Sequence, residues 1–249
     1  MFNASPLTVN SSNSTIGSNS SSPRPMGKWI IDTDCGIDDA ECIMAALNHL
    51  DIIAFTCVCG NTPVEKSTVN VAKILQLCNK EIDIYPGCRQ PLIEKVLTEV
   101  ANIHGKDGMG DSEIAQTITG FTQCIQEDEP AAVAITRLAR EVKKKGEKVN
   151  LICIGPLTNL AVAFQLDNDL PNKIDQLVIM GGTSTGLGNM TLSTEYNFYQ
   201  DPEAAHIVVR NFLDIKLIPW ETCLDAEPKT DEQLKRLYDE THDLGLLHK

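Results

Sequence analysis

The sequence predicts an α/β fold, a mostly parallel open sheet with helices on both faces. Three observations point there. From Lys28 onward, short β-branched runs alternate with longer segments of helical period. Such alternation is the signature of strands joined by crossover helices. The 249 residues and 42% hydrophobic content supply enough apolar side chain for one large α/β core. Taken in order, strands are predicted at 29–32, 52–59, 82–85, 150–154, 176–180 and 215–219, each a short run rich in Ile, Val or Leu and bounded by turn residues. Helices are predicted at 38–50, 63–78, 130–145, 157–165, 202–211 and 230–241. Three of these helices open on proline, which the first turn of a helix accepts because its amide has no partner there. In such a sheet, ligands bind beyond the carboxyl ends of the strands, so the chemistry is expected in the strand-to-helix loops.

Residues 1 to about 25 are rich in Ser and Asn and poor in apolar side chains, so a disordered tail is expected ahead of a domain over 26–249. The 21 basic and 34 acidic side chains give a formal charge of −13, which repels phosphate backbones and anionic lipid surfaces. Neither nucleic acid nor membrane is therefore an expected partner. The start of the chain lacks the apolar segment of a secretory signal, and no run approaches a bilayer's thickness, which points to the cytoplasm. The nine cysteines include no C-x-x-C pair, and several lie in apolar runs, as reduced thiols do when they pack as small hydrophobes.

The segment Asp32-Thr33-Asp34-Cys35-Gly36-Ile37-Asp38-Asp39 sets four carboxylates within eight residues, where the first strand ends and the first helix begins. Like charges this close either raise one another's pKa or gather around a cation, and a helix N-terminus offsets only about half a charge. With oxygen ligands alone the cation would be hard, calcium or magnesium rather than zinc. Asp34 and Asp39 are the favoured direct ligands, since Gly36 permits the turn that brings them together. The plainer reading is that Asp38 or Asp39 caps the helix and the others are solvated.

From Asp32 to Ala40 the sequence resembles the opening motif D-x-D-x-G-x-D-D-A of the nucleoside hydrolases, in particular the inosine-uridine-preferring type. The resemblance continues through Gly60-Asn61, His104 to Gly110, Gly155 to Asn159, Met180 to Gly182, Glu195 to Phe198 and Asp201 to Ala205, all in order. It implies hydrolysis of the N-glycosidic bond of a ribonucleoside by calcium-activated water. On this reading Asp34 touches the calcium and is the general base. Asp39 binds calcium through both oxygens, the backbone carbonyl of Ile154 is a further ligand, and Asp32 supports them from behind. Asp38, Asn61, Asn189, Glu195 and Asn197 match ribose-contacting positions, Met180 lines the sugar pocket and His104 stands near the nucleobase. Homo-oligomers are usual in the family.

Two departures stand against this. Cys35 replaces a common proline, which frees the turn and places a thiol beside the metal loop. Family members also run on further and carry a His-Asp pair whose Asp is another calcium ligand. Here Thr241-His242-Asp243-Leu244 falls closer to Asn197 than that pair does in the family, so the pair is read as missing, with substitution by His242 and Asp243 as the alternative. A shortened chain leaves room for a nucleoside-binding or subunit-like derivative without turnover. A phosphatase of the haloacid dehalogenase type also opens on D-x-D. It would need magnesium and a lysine at its phosphate site, and it would give Asn61, Asn189 and the Glu195–Phe198 block no task.

Overall fold

A computed structural model of the chain describes residues 27–93, 102–147 and 149–225. Six strands, β1 (Lys28–Thr33), β2 (Asp51–Cys57), β3 (Ile84–Pro86), β4 (Val149–Cys153), β5 (Gln176–Met180) and β6 (Ile215–Ile218), form one sheet in the order β3-β2-β1-β4-β5-β6. Every neighbouring pair is parallel. The expected α/β architecture is therefore present.

The larger helices are α1 (Ile37–His49), α2 (Val64–Leu77), α4 (Ala131–Lys144), α5 (Thr158–Leu166) and α7 (Pro202–Asn211). Between them lie the short helices α3 (Glu113–Thr117), α6 (Tyr196–Gln200) and, at the end, α8 (Trp220–Asp225). Side chains alternate across a strand, so β1 serves two cores at once. Trp29 and Ile31 pack with Ile43 of α1 and Val71 and Leu75 of α2. Ile30 packs on the other face with Ile135 of α4, Leu160 of α5 and Val208 of α7. Burial on both faces explains why the central strands read as continuous apolar runs.

The predicted helices agree with the observed ones to within a residue or two, apart from 230–241. That segment, the tail over 1–25 and the His242–Asp243 pair lie outside the described residues. The strand predicted over 52–59 stops at Cys57, because the next two amides turn to different partners: Val58 N–H donates to Thr33 O and Cys59 N–H to Cys88 O. The strand predicted over 82–85 begins only at Ile84 and ends on Pro86, a residue tolerated at this edge position. The sequence predicts none of α3, α6 and α8, which are too short to show a period. Among the described residues no helix is long and apolar enough to cross a membrane.

The strand order reverses direction at β1, with β2 and β3 on one side and β4, β5 and β6 on the other. The carboxyl ends of β1 and β4 flank the crevice at this switch point, where open parallel sheets bind ligands. The Asp32–Asp34 segment ends β1 and Ile154 follows β4, so residues far apart in sequence meet there.

Candidate active site

Asp32 is fully buried at the end of β1. Its Oδ2 accepts hydrogen bonds from Thr56 Oγ1 at 2.5 Å and Asn159 Nδ2 at 2.8 Å, while Oδ1 has no hydrogen-bond partner. Burial pushes its pKa up to about 7, against the lowering effect of those two donors. Asn159 ties three segments together, since its Nδ2 also donates to Cys57 O at 2.9 Å and its Oδ1 accepts from Cys88 N–H at 2.8 Å. Asn159→Ala is expected to destabilise the fold by about 3 kcal/mol, because it strands Asp32 and two backbone groups in a buried setting. The shift of the urea midpoint measures this.

Asp34 has 0% and Asp39 3% of its surface exposed, so two carboxylates are buried near each other. Asp39 Oδ1 accepts from Thr33 Oγ1 at 2.6 Å and Oδ2 from Gly36 N–H at 2.9 Å, which also closes the first turn of α1. Asp34 Oδ2 accepts from Asn61 N–H at 2.6 Å, while its Oδ1 is buried without a partner. Asn61 Nδ2 reaches Asp39 Oδ2 at 3.5 Å, so Asn61 links the two acids. Burial, reinforced by the charge of Asp39, raises the Asp34 pKa well above the carboxylate range. Burial and the charge of Asp38 push Asp39 up to about 7.

Two glycines are required here by closeness alone. A Cβ at Gly60 would overlap the Asp34 carboxylate, and one at Gly155 would stand 3.0 Å from Asp34 Oδ1. Cys35, between these acids, has φ 42°, in the left-handed region that proline's ring forbids. The turn is therefore one that proline could not make. Burial holds the Cys35 thiol protonated, which fits a passive packing role.

Beside Asn61, which bonds both acids, opens a cavity of about 540 Å³ whose wall includes neither Asp34 nor Asp39. Seven of the sequence-predicted residues line it: Asp38, Asn61, His104, Ile154, Met180, Asn189 and Asn197, with Asn189 exposed to solvent. The Asp38 side chain is 76% exposed. His104 Nδ1 accepts from Ile37 N–H at 3.2 Å and lies 3.7 Å from Asp38 Oδ1. Asn197 Nδ2 donates to Ile154 O at 3.1 Å and Met180 O at 3.2 Å, joining the ends of β4 and β5.

Glu195 is brought to the neighbourhood but not to the cavity wall. It caps α6, with Oε1 accepting from Asn197 N–H and Oε2 from Gly182 and Phe198 N–H. Sequence reasoning missed Ile37, Glu41, Ile103, Met190, Tyr196 and Trp220, which complete the lining. Tyr196 stands inside a block that carries the family resemblance, whereas Trp220 depends on a loop contact that no local pattern announces: its N–H donates to Gly182 O at 3.0 Å. The adjacent Glu221 accepts from Ser184 and Thr185 amides and from Thr185 Oγ1, which holds its pKa down at about 2.

A second groove, of about 570 Å³, runs along α2 past Lys66, Lys73 and Lys106, offset by Glu65, Asp107 and Asp111. Lys66 and Lys73 already donate to backbone carbonyls, so the cavity at the switch point is the better candidate.

The model of the family described as inosine-uridine preferring nucleoside hydrolase matches residues 29–248. A non-specific ribonucleoside hydrolase, RihC, of Salmonella paratyphi B is 38% identical over 189 residues, covering 75% of this chain and 58% of that protein. This chain thus spans somewhat more than half the length of that relative. Among solved structures, an inosine-guanosine nucleoside hydrolase is 31% identical with a TM-score of 0.74, over 87% of this chain and 70% of the other. The purine-preferring ribonucleoside hydrolase from Gardnerella vaginalis is 28% identical with a TM-score of 0.76, over 88% and 70%. A match running from the first strand through the end of the described residues, in sequence and in backbone, means that this chain belongs to the inosine-uridine preferring nucleoside hydrolase family.

Proposed function

We propose that the chain hydrolyses the N-glycosidic bond of ribonucleosides, giving free base and ribose, with calcium as its metal. The observation that carries this reading is the buried Asp34–Asp39 pair behind an amide-lined cavity at the switch point. Two carboxylates deprived of water, one with an orphaned oxygen, suit a site whose positive charge comes from outside the protein. The donors are all oxygens: Asp34, Asp39 and the Ile154 carbonyl. This is the kind of set a calcium ion prefers. Among the described residues no group of three His, Cys, Asp or Glu side chains is placed to hold a metal, so the two acids need the carbonyl and further oxygens beside them. Bound calcium would polarise the attacking water and so ease its deprotonation.

The chain's own residues do the rest. Asp34 accepts the proton of the water as its oxygen attacks the anomeric carbon. The C–N bond electrons leave with the base, which takes up a proton in turn. Positive charge grows on the sugar in that transition state, and the acidic floor stabilises it. Asp38 and Asn61 receive ribose hydroxyls, with Asn189 at the rim and Asn197 and Met180 along the wall. Glu195 acts through Asn197, holding its amide in place, and Asp32 supports the β1 end through Thr56 and Asn159. His104 offers Nε2–H toward the base.

A nucleoside-binding protein without turnover is the second reading. What favours it is the two-carboxylate set among the described residues. The phosphatase reading loses support, since among the described residues no lysine lines the cavity. Release of reducing sugar from inosine, uridine, adenosine and cytidine, with calcium or with chelator, separates these cases. Calcium-dependent ribose release is expected. Saturable nucleoside binding without release would establish the second reading, and release of phosphate from p-nitrophenyl phosphate instead would overturn both.

A further inference from the structure

The His104 ring rests on the turn between β1 and α1. Ile37 N–H donates to its Nδ1 at 3.2 Å, and a Cβ on Gly36 would stand 2.8 Å from that nitrogen and 2.8 Å from Asn61 Nδ2. Gly36 is thus the gap that lets two residues of the cavity wall close on this turn. The loop beyond His104 keeps its shape through its own bonds. Gly110 N–H donates to His104 O at 2.8 Å, Asp107 Oδ1 accepts from Met109 and Asp111 N–H, and Asp111 Oδ1 accepts from Lys106 and Asp107 N–H. A segment cross-linked in this way moves as one piece, so what fixes Asp107 also fixes His104. Two side chains of α2 hold it. Lys66 Nζ donates to Lys106 O at 2.7 Å, but this exposed side chain gives up water and rotamer freedom for the bond, which leaves little net gain. Asn70 is 3% exposed, and its Nδ2 donates both to Asp107 O at 2.9 Å and to Cys35 O at 3.4 Å. A single buried amide therefore ties the loop to the residue that directly precedes Gly36, and its removal would deprive two carbonyls of that donor.

Resting on the ribonucleoside reading of this cavity, we propose that Asn70 is a positioning residue: by bridging Cys35 O and Asp107 O it sets His104 against the β1–α1 turn, and thereby the grip on the nucleobase. Asn70 is not on the wall of that cavity and acts through the loop alone. Its bridge suits this role because it joins the two supports of the ring. Ile37 N–H and Cys35 O belong to one turn, so a loop held by both cannot slide without breaking one of these bonds. A shift of about 1 Å in a group that meets the ligand is enough to weaken its part in binding and catalysis.

The test uses the full chain with calcium and the variants Asn70→Ala, Asn70→Ser, Lys66→Ala and His104→Ala, with each Asn70 variant also combined with His104→Ala. Inosine and uridine are the probes, read as kcat/KM where they are hydrolysed and as calorimetric affinity where they are only bound, beside melting temperatures without nucleoside. Asn70→Ala should lower the nucleoside readout about tenfold in the otherwise unsubstituted chain and by less than about twofold in the His104→Ala chain. Its effect on melting temperature should be the same in both, because the lost bonds lie in the loop and not in the ring. Asn70→Ser keeps a hydroxyl donor and should show a smaller loss with the same dependence on His104, and it serves if the alanine variant does not fold. Lys66→Ala should stay within about twofold of the unsubstituted chain. Equal losses with and without His104, an unchanged readout in the Asn70 variants, or a loss from Lys66→Ala as large as theirs overturns the proposal while leaving the reading of the cavity intact. Failure of the unsubstituted chain to bind or hydrolyse either nucleoside overturns both.

Discussion

Asp34→Asn is expected to lower ribonucleoside hydrolysis by at least about a thousandfold, while making the metal-free protein more heat-stable at neutral pH. The two effects have one origin. Asp34 is fully buried, and burial together with the Asp39 charge raises its pKa well above the carboxylate range. An ionised Asp34 therefore costs the folded state free energy, which the site invests in a group able to take a proton from water. Asparagine keeps a carbonyl oxygen to accept from Asn61 N–H, so the local bond survives. Its amide occupies the position of the orphaned Oδ1, facing Gly155, and is neutral. The charge penalty disappears and so does the base. Rates measured by reducing-sugar release and melting temperatures measured in chelator check both halves. A variant that turned over normally would remove Asp34 from the role of general base.

The second large effect is the dependence of stability on pH and calcium. Asp39 titrates near pH 7 when folded, against an ordinary value of 3.8, and Asp34 is shifted in the same direction. An acid whose pKa is raised by folding holds its proton more tightly in the native state than in the unfolded chain. Its favourable contribution is complete below about pH 4 and is lost as pH rises through 7. For Asp39 alone that loss amounts to roughly 4 kcal/mol at most, since each tenfold change in proton affinity corresponds to about 1.4 kcal/mol. In chelator the protein should thus melt at progressively lower temperature between about pH 4 and pH 8. On the proposed function calcium binds the ionised carboxylates, and it is then expected to stabilise the fold by about 2.7 kcal/mol once its concentration is about a hundredfold above its dissociation constant. Added calcium should raise the melting temperature by several degrees near pH 8, do little near pH 5, and flatten the slope between. Parallel slopes with and without calcium would mean that the ion does not bind between these acids.

Much of the fold and of the site is legible in the sequence. Alternating β-branched runs and helical periods suffice for the α/β class, since burial on two faces leaves its mark on strand composition. Four acids crowded after the first strand announce a site, because like charges accumulate only where something compensates them. Other features escape for definite reasons. Glu195 reads as a sugar contact in sequence, yet its oxygens are taken by three amides, one of them from Gly182 across a loop. Asn159 gives no hint that it binds Asp32, Cys57 and Cys88 together. The helices carrying Tyr196 and Trp220 are too short to show a period.

The chain's local chemistry, then, determined which groups are available: the acids at the end of β1, the amides and glycines beside them, and the alternation that makes a parallel sheet. Only the tertiary structure decided which of them meet. Asn61, which bonds both acids, shares one cavity with Ile154 and Asn197 because parallel strands deliver all their carboxyl ends to one edge, and because the order β2-β1-β4-β5 opens a crevice beside β1. Residues distant along the chain become neighbours through that packing, and the burial it imposes, rather than the identity of any one side chain, gives the acids their raised proton affinity.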